Sequence, residues 1–440
     1  MSTTWTTDKI LALAPDASSA KSAKDLATPR KWVTLGRDER SVWGECQGSG
    51  GRPYQAQIDL SEPTFRCSCP SRKFPCKHAL GLFLLLDSQP ASFAIHTPPE
   101  WVTRWIEGRD NRARQRAEKT DKPAGEVVDP KTQAKRTADR QAKVEAGLQA
   151  LDLWLRDIAR GGLAAAQSKP TSFWTSPAAR LVDAQAPGLA RWLREMAGVP
   201  STGEGWQERL LERLGRLHLL IEGYKRIDAL PAGTQADIRT LIGWTHDQDE
   251  LLTQPGLRDR WAVLGQRVDE EERLRVQRTW LWGRDGNRSA LILNFAHASQ
   301  PLDVGLVPGT SLDANLVFFP GAYPLRALIK VRHAAPTAID TMPGYATISE
   351  AIEACAAALM LNPWLERSPM TLQSVVPARY DDRWSVRDDD GRSLALAPRF
   401  GKGWHLAALS GGHRLAVFGE WDGDHLLPLS VWADDRFVEL

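Results

Sequence analysis

The sequence predicts an α+β chain of several domains: a small strand–strand–helix unit, a helical middle region, and a β-rich C-terminal domain, sandwich or barrel-like, with one inserted helix. Three observations predict it. The 440 residues exceed what one ordinary core organises, and 42% hydrophobic with 25% charged residues is a normal globular balance. The hydrophobic period changes from 3.6 to two near Arg258. Three cysteines and one histidine crowd into the twelve residues from Cys67 to His78, directly behind two strand-like stretches.

Residues 1–107 read as the first unit. Short helices are expected near Lys9–Leu13 and Ala20–Leu26. Ser41–Cys46 and Tyr54–Leu60 read as strands separated by the turn signal Gly48-Ser49-Gly50-Gly51. The Cys/His cluster follows, then an apolar helix over Lys77–Leu86. Residues 108–130 hold Arg109, Arg112, Arg114, Arg116, Lys119 and Lys122, broken by Pro123, Gly125 and Pro130, and read as a basic linker.

Residues 131–257 read as helical. Val144, Leu148, Leu151, Leu155 and Ile158 share one helix face, and Leu210, Leu214, Leu217 and Ile221 repeat the pattern. Gly161-Gly162 ends the first of these helices.

Residues 258–440 read as three hairpins and a helix. Leu274, Val276, Trp280 and Trp282 alternate up to Asp285-Gly286, and Leu291, Leu293 and Phe295 return. Trp384–Arg387 with Leu394–Ala397, and Leu415–Trp421 with Leu426–Trp432, repeat the outline around Asp390-Gly391 and Asp422-Gly423. The inserted helix, about Ser349–Leu361, has Thr347 and Glu350 at capping-box spacing and Pro363 beyond its end.

Bulk properties exclude several classes. Five cysteines in 440 residues make no disulfide framework. The first ten residues lack the basic-then-apolar order of a signal peptide. The longest apolar run, around Ala79–Leu86, is far short of the roughly 20 residues of a membrane span. A cytoplasmic protein with no membrane partner is expected. The net charge of +2 does not advertise a nucleic-acid binder, although residues 1–145 carry 24 Lys and Arg against 18 Asp and Glu. The 18 tryptophans against 5 tyrosines read as large core fillers, with a stacking surface for bases or sugars as the alternative.

The cluster has the spacing C-x-C, six residues, C-x-H, with ligands Cys67, Cys69, Cys76 and His78. Three thiolates and an imidazole suit one tetrahedral, structural Zn²⁺ with no position left for water or substrate. Pro70 and Pro75 bound a short loop, so closing it costs little entropy. Arg66, Arg72, Lys73 and Lys77 offset the net negative charge of such a centre and are the candidate nucleic-acid contacts. Redox thiols would want a C-x-x-C pair, and an iron–sulfur cluster a fourth nearby thiol.

The stretch resembles the SWIM zinc finger, whose C-x-C and C-x-H pairs sit on a strand–strand–helix frame. The likeness covers roughly residues 1–100, including Leu35–Gly50 and Ala79-Leu80-Gly81-Leu82, and beyond residue 130 it is a general likeness to long bacterial members. The resemblance implies a DNA- or protein-interaction module. Relatives of this kind accompany transposases, remodelling-type helicases and ubiquitin-ligase-like proteins. Bacterial ones are often encoded near MoxR-type AAA+ ATPases and proteins with a von Willebrand A domain, which implies a place in a larger assembly. No helicase or transposase motif accompanies the finger here.

Other residues attract blander readings. Cys46 is a buried thiol or a spare ligand; Cys355 is packing; His218 is structural. Asp87 and His96 are surface residues or orient His78. Asp269–Glu272 and Asp388–Asp390 read as solvated turns. No phosphate loop, nucleophile elbow, metalloprotease helix or dinucleotide fingerprint is present. The expected function is a protein-interaction adaptor and not an enzyme, with nucleic-acid binding as the alternative and a site of scattered C-terminal residues as a third.

Overall fold

A computed structural model describes the chain except residues 1–6, 15–16, 48–52, 62–63, 72, 74, 122–129, 272–273, 298–301 and 303–304. The side chains of 8–9, 12, 17, 112–121, 130–134 and 271 are also outside the description.

The first unit contains α1 (Thr7–Ala12), α2 (Ala17–Leu26), β1 (Trp32–Arg37), β2 (Ser41–Cys46), β3 (Tyr54–Asp59), β4 (Thr64–Cys67), α3 (Lys77–Ser88), β5 (Ala94–Ile95) and α4 (Glu100–Asp121). The two strands legible in sequence, β2 and β3, pair from Ser41↔Asp59 to Cys46↔Tyr54 inside a five-stranded sheet ordered β4-β3-β2-β1-β5. The glycine turn between them lies outside the described residues. Helix α3 is apolar on all sides because it is covered on all sides: the sheet packs on one face, α1 and α2 on another. Residues 108–121, read from sequence as the start of a linker, continue α4. The strong breakers, Pro123 and Gly125, come only afterwards. Arg40 anchors this helix by reaching Asp110 at 2.7 Å and the buried Asp59 at 3.2 Å.

The middle holds α5 (Pro130–Gly161), α6 (Ser172–Asp183), α7 (Pro187–Met196), α8 (Trp206–Lys225) and α9 (Ala232–Ile242) around one core. Both predicted stripes, Val144 to Ile158 and Leu210 to Ile221, are buried in it. Gly162, just past α5, has φ +80°, the conformation that suits glycine at a helix end.

The remainder contains α10 (Gln248–Thr253), β6 (Leu257–Glu271), β7 (Leu274–Gly283), β8 (Arg288–His297), β9 (Thr310–Phe318), β10 (Ala327–Arg332), β11 (Thr337–Ala338), α11 (Ile348–Leu361), β12 (Ser368–Tyr380), β13 (Arg383–Arg387), β14 (Ser393–Ala395), α12 (Gly403–Ser410), β15 (Leu415–Trp421), β16 (Leu426–Ala433) and β17 (Arg436–Glu439). The three predicted hairpins are β7–β8, β13–β14 and β15–β16. One sheet runs β10-β9-β6-β7-β8, with β11 on β9; the other runs β14-β13-β12-β15-β16-β17. The first sheet curls until Leu291 of β8 bridges Arg326, just before β10. Alternation along β6 then serves two cores. Trp261 and Val263 point into the curl, whereas Ala262 and Leu264 pack against Phe418, Leu427 and Leu429 of the second sheet. The domain thus combines features of a barrel and a sandwich.

Within the acid runs, Asp388 and Asp269 correct the sequence reading, whereas Asp389 and Asp390 are exposed in a turn as expected. Asp388 is buried, and accepts the Ile348 N–H at the start of α11 at 2.9 Å and the Arg392 N–H at 2.9 Å. Asp269 lies in β6, paired with Arg267 and Arg278. Neither is a solvated turn residue. Among the described residues no helix is long and apolar enough to cross a membrane.

Candidate metal centre

The centre forms where β4 ends and α3 begins. Ala56 pairs with Cys67, and Ser68 continues the contact, donating its N–H to Gln55 O at 2.9 Å. This carries Cys67 and Cys69 off the end of the sheet on one side of a tight loop. Cys76 is the N-cap residue of α3, with extended backbone (φ −76°, ψ 163°), and its carbonyl accepts the Leu80 N–H at 3.1 Å. His78 stands in the first helical turn, its ring 5.0 Å from that of Tyr54. The strand end and the helix start each contribute one ligand pair.

One ligand atom from each of Cys67, Cys69, Cys76 and His78 falls within 4.8 Å of all the others, and Cys67 Sγ is 3.9 Å from His78 Nδ1. Tetrahedral zinc–thiolate bonds of about 2.3 Å put sulfurs about 3.8 Å apart, so the spacing fits the ion. Cys76 and His78 are buried; Cys67 and Cys69 are half-buried.

Electrostatics point the same way. A hydrogen bond from the Cys67 thiol holds the Cys76 thiol down to about 4, and the same bond, with burial, pushes Cys67 upward. Burial also raises Cys69. With protons alone the pocket sustains essentially one thiolate, because three negative sulfurs this close repel. A divalent cation would remove that conflict. The start of α3 further favours negative charge at Cys76.

The neighbouring residues divide cleanly. Cys46 is fully buried in the sheet–helix core and stands outside the four-ligand group. Asp87 lies at the far end of α3 and accepts from Thr7 Oγ1 at 2.7 Å; His96 packs edge-on against Trp43. Neither orients His78. Arg66, Lys73 and Lys77 are exposed beside the centre, and Arg72 lies outside the described residues. Tyr54, whose ring lies against that of His78, carried no signal in sequence, because cross-strand pairing brought it there.

A second ligand-like group, Asp152 with His218 and Glu222, joins α5 to α8. Its carboxylates are already engaged: Lys225 lies 3.2 Å from Asp152 and 2.6 Å from Glu222, and Arg156 is 3.0 Å from Asp152. His218 is exposed, on the outside of α8 rather than in its core.

Residues 54–87 match the SWIM zinc finger, and residues 139–242 match the SWIM-associated four-helix bundle domain. No curated protein and no solved structure matches the chain. The first match spans the whole Cys/His centre, and the second spans the bundle from within α5 to the end of α9. The chain thus carries a SWIM zinc finger and, behind it, the four-helix bundle domain associated with such fingers.

Proposed function

We propose that Cys67, Cys69, Cys76 and His78 hold one structural zinc ion, and that the protein acts by binding, as a protein-interaction adaptor, rather than by catalysis. All four ligand positions are filled by protein, which leaves the ion no open position for chemistry. When bound, the ion would pin the start of α3 to the end of β4.

One observation carries the adaptor reading: α3, the finger's helix, is enclosed. Leu80, Leu82, Phe83, Leu84 and Leu85 are all at most 3% exposed. A helix that reads a DNA groove must present its side chains, and this one spends them on the core. What the finger offers outward is the β1 and β5 side of the sheet, where Val33, Thr34 and Ile95 are exposed, and the residues around the Cys/His centre. The partner class the family's bacterial settings suggest is a MoxR-type AAA+ ATPase or a protein with a von Willebrand A domain, in the cytoplasm. The exposed Arg66, Lys73 and Lys77 support the second reading, contact with nucleic-acid phosphates.

Two measurements on the purified chain separate these readings. Size-exclusion chromatography with a purified MoxR-type ATPase is expected to give a complex that is lost on chelation of the metal. A mobility-shift series on duplex DNA is expected to show no shift at low salt. A DNA complex that weakens steeply with salt, without any protein complex, would replace the adaptor reading with the nucleic-acid one.

A further inference from the structure

A cleft of about 270 Å³ opens where the helical bundle meets the β-rich half. Asp237 of α9 lines one side; Arg278, Phe319, Tyr323, Arg326 and Arg367 line the other. One of its arginines, Arg326, is unusual in what it lacks.

Arg326 lies flat over the Phe319 ring at 4.1 Å, half-buried. Burial alone depresses its pKa; no carboxylate pulls the other way. Among the described residues none accepts a hydrogen bond from its guanidinium. Arg288, similarly stacked 4.0 Å over Phe318, donates to Pro324 O at 3.3 Å. Arg326 therefore holds up to five donors in place with nothing to receive them.

Its surroundings add positive charge without supplying an acceptor. Asp269 and Glu420 are shared among Arg267, Arg278 and Arg367, with Arg367 3.6 Å from both carboxylates. Nη1 of Arg367 is buried without a hydrogen-bond partner. The two other carboxylates of the cleft, one on each wall, are turned to other uses. Asp237 accepts the Ala322 N–H at 2.8 Å, and Glu366 accepts the Trp192 Nε1–H at 2.9 Å. A half-buried guanidinium with no carboxylate beside it, its donors open to the cleft, is completed best by an anion.

We propose that this cleft binds a small molecule bearing an oxyanion, a carboxylate or a phosphate, with Arg326 as its principal partner, Arg367 as a second donor, and Phe319 and Tyr323 as apolar walls. The planar fork of Arg326 takes both oxygens of such a group at once. Because the cleft has one wall on the bundle and one on the β-rich half, its ligand would brace the two against each other.

The test is thermal denaturation of the full chain with inorganic phosphate, phenyl phosphate or benzoate, each against sodium chloride at equal ionic strength. At least one probe is expected to raise the wild-type Tm saturably by several degrees. Phenyl phosphate against benzoate separates a phosphate ligand from a carboxylate one. Arg326→Met is expected to abolish the rise. Arg326→Lys, which keeps the charge and the apolar stem but not the fork, should fold normally and weaken the response at least tenfold; it decides the matter should the methionine variant not fold. No probe-specific rise in the wild type, or a rise undiminished in the lysine variant, overturns the proposal.

Discussion

Cys76 shows how much one residue can carry. It belongs to the Cys/His cluster, is the N-cap of α3 and is part of the buried core at once, so an ion held by the proposed ligands and the helix start would be one structural event. Removing the metal should therefore cost folding of the first unit and leave the bundle intact. Elemental analysis is expected to give one zinc per chain. A chelator, or Cys69→Ser, is expected to abolish the melting transition of residues 1–107 while the helical signal of α5–α9 persists. Full retention of that transition after complete metal removal would contradict a structural role. Asp59 makes a second residue-scale case. It is fully buried and faces Arg40 at 3.2 Å and Arg109 at 3.3 Å. Asp59→Ala leaves Arg40 held by Asp110 but removes the buried acceptor it shares with Arg109, and a loss of about 1–3 kcal/mol is expected in urea denaturation. The ligands were legible in sequence because metal spacing is local. The partners of Asp59, 19 and 50 positions away, were not.

Among the elements, α11 was the most fully legible. The structure starts it at Ile348, with Thr347 Oγ1 accepting the Glu350 N–H at 3.2 Å. Glu350 reaches back to the Ala346 N–H, at 3.1 Å, one residue beyond the usual capping-box target. A second cap was hidden: Asp388, forty residues away, accepts the Ile348 N–H. Asp388→Ala is expected to cost about 1–2 kcal/mol, comparable to Thr347→Ala, and urea denaturation of both variants tests whether the distant cap matters as much as the local one. Helix α4 went the other way. Its arginine-rich stretch resembles a spacer in composition, and what sets it as helix is the clamp of Arg40 on Asp110 together with burial of Val102 and Trp105. A polar helix held by one seam and by the ion pairs Arg40–Asp110 and Arg109–Asp59 has little in its own pattern to announce it.

At the scale of the molecule, two contacts join parts that sequence reading kept separate. Trp364, beyond α11, is 5% exposed within the bundle core and donates its indole N–H to Arg216 O at 3.0 Å. Trp364→Ala should destabilise bundle and β-rich half together, by about 3–5 kcal/mol, and melt them as less cooperative units in calorimetry; an unchanged single transition would mean that the seam contributes little. Gly265 lies between the two sheets, where an added Cβ would stand 2.7 Å from Phe418 and 3.0 Å from Leu429. Gly265→Val is expected to cost about 1–3 kcal/mol by thermal denaturation, because stacked sheets cannot separate locally. The sequence alone determined the Cys/His cluster, the order of finger, helices and strands, and three hairpins, since each depends on neighbours within a turn or two of chain. Only the tertiary structure decided which tryptophans join the bundle to the sheets, how the first sheet curls and packs, and which arginine is left without an anion. Those outcomes depend on residues far apart in the chain sharing one desolvated space, and no local period records that.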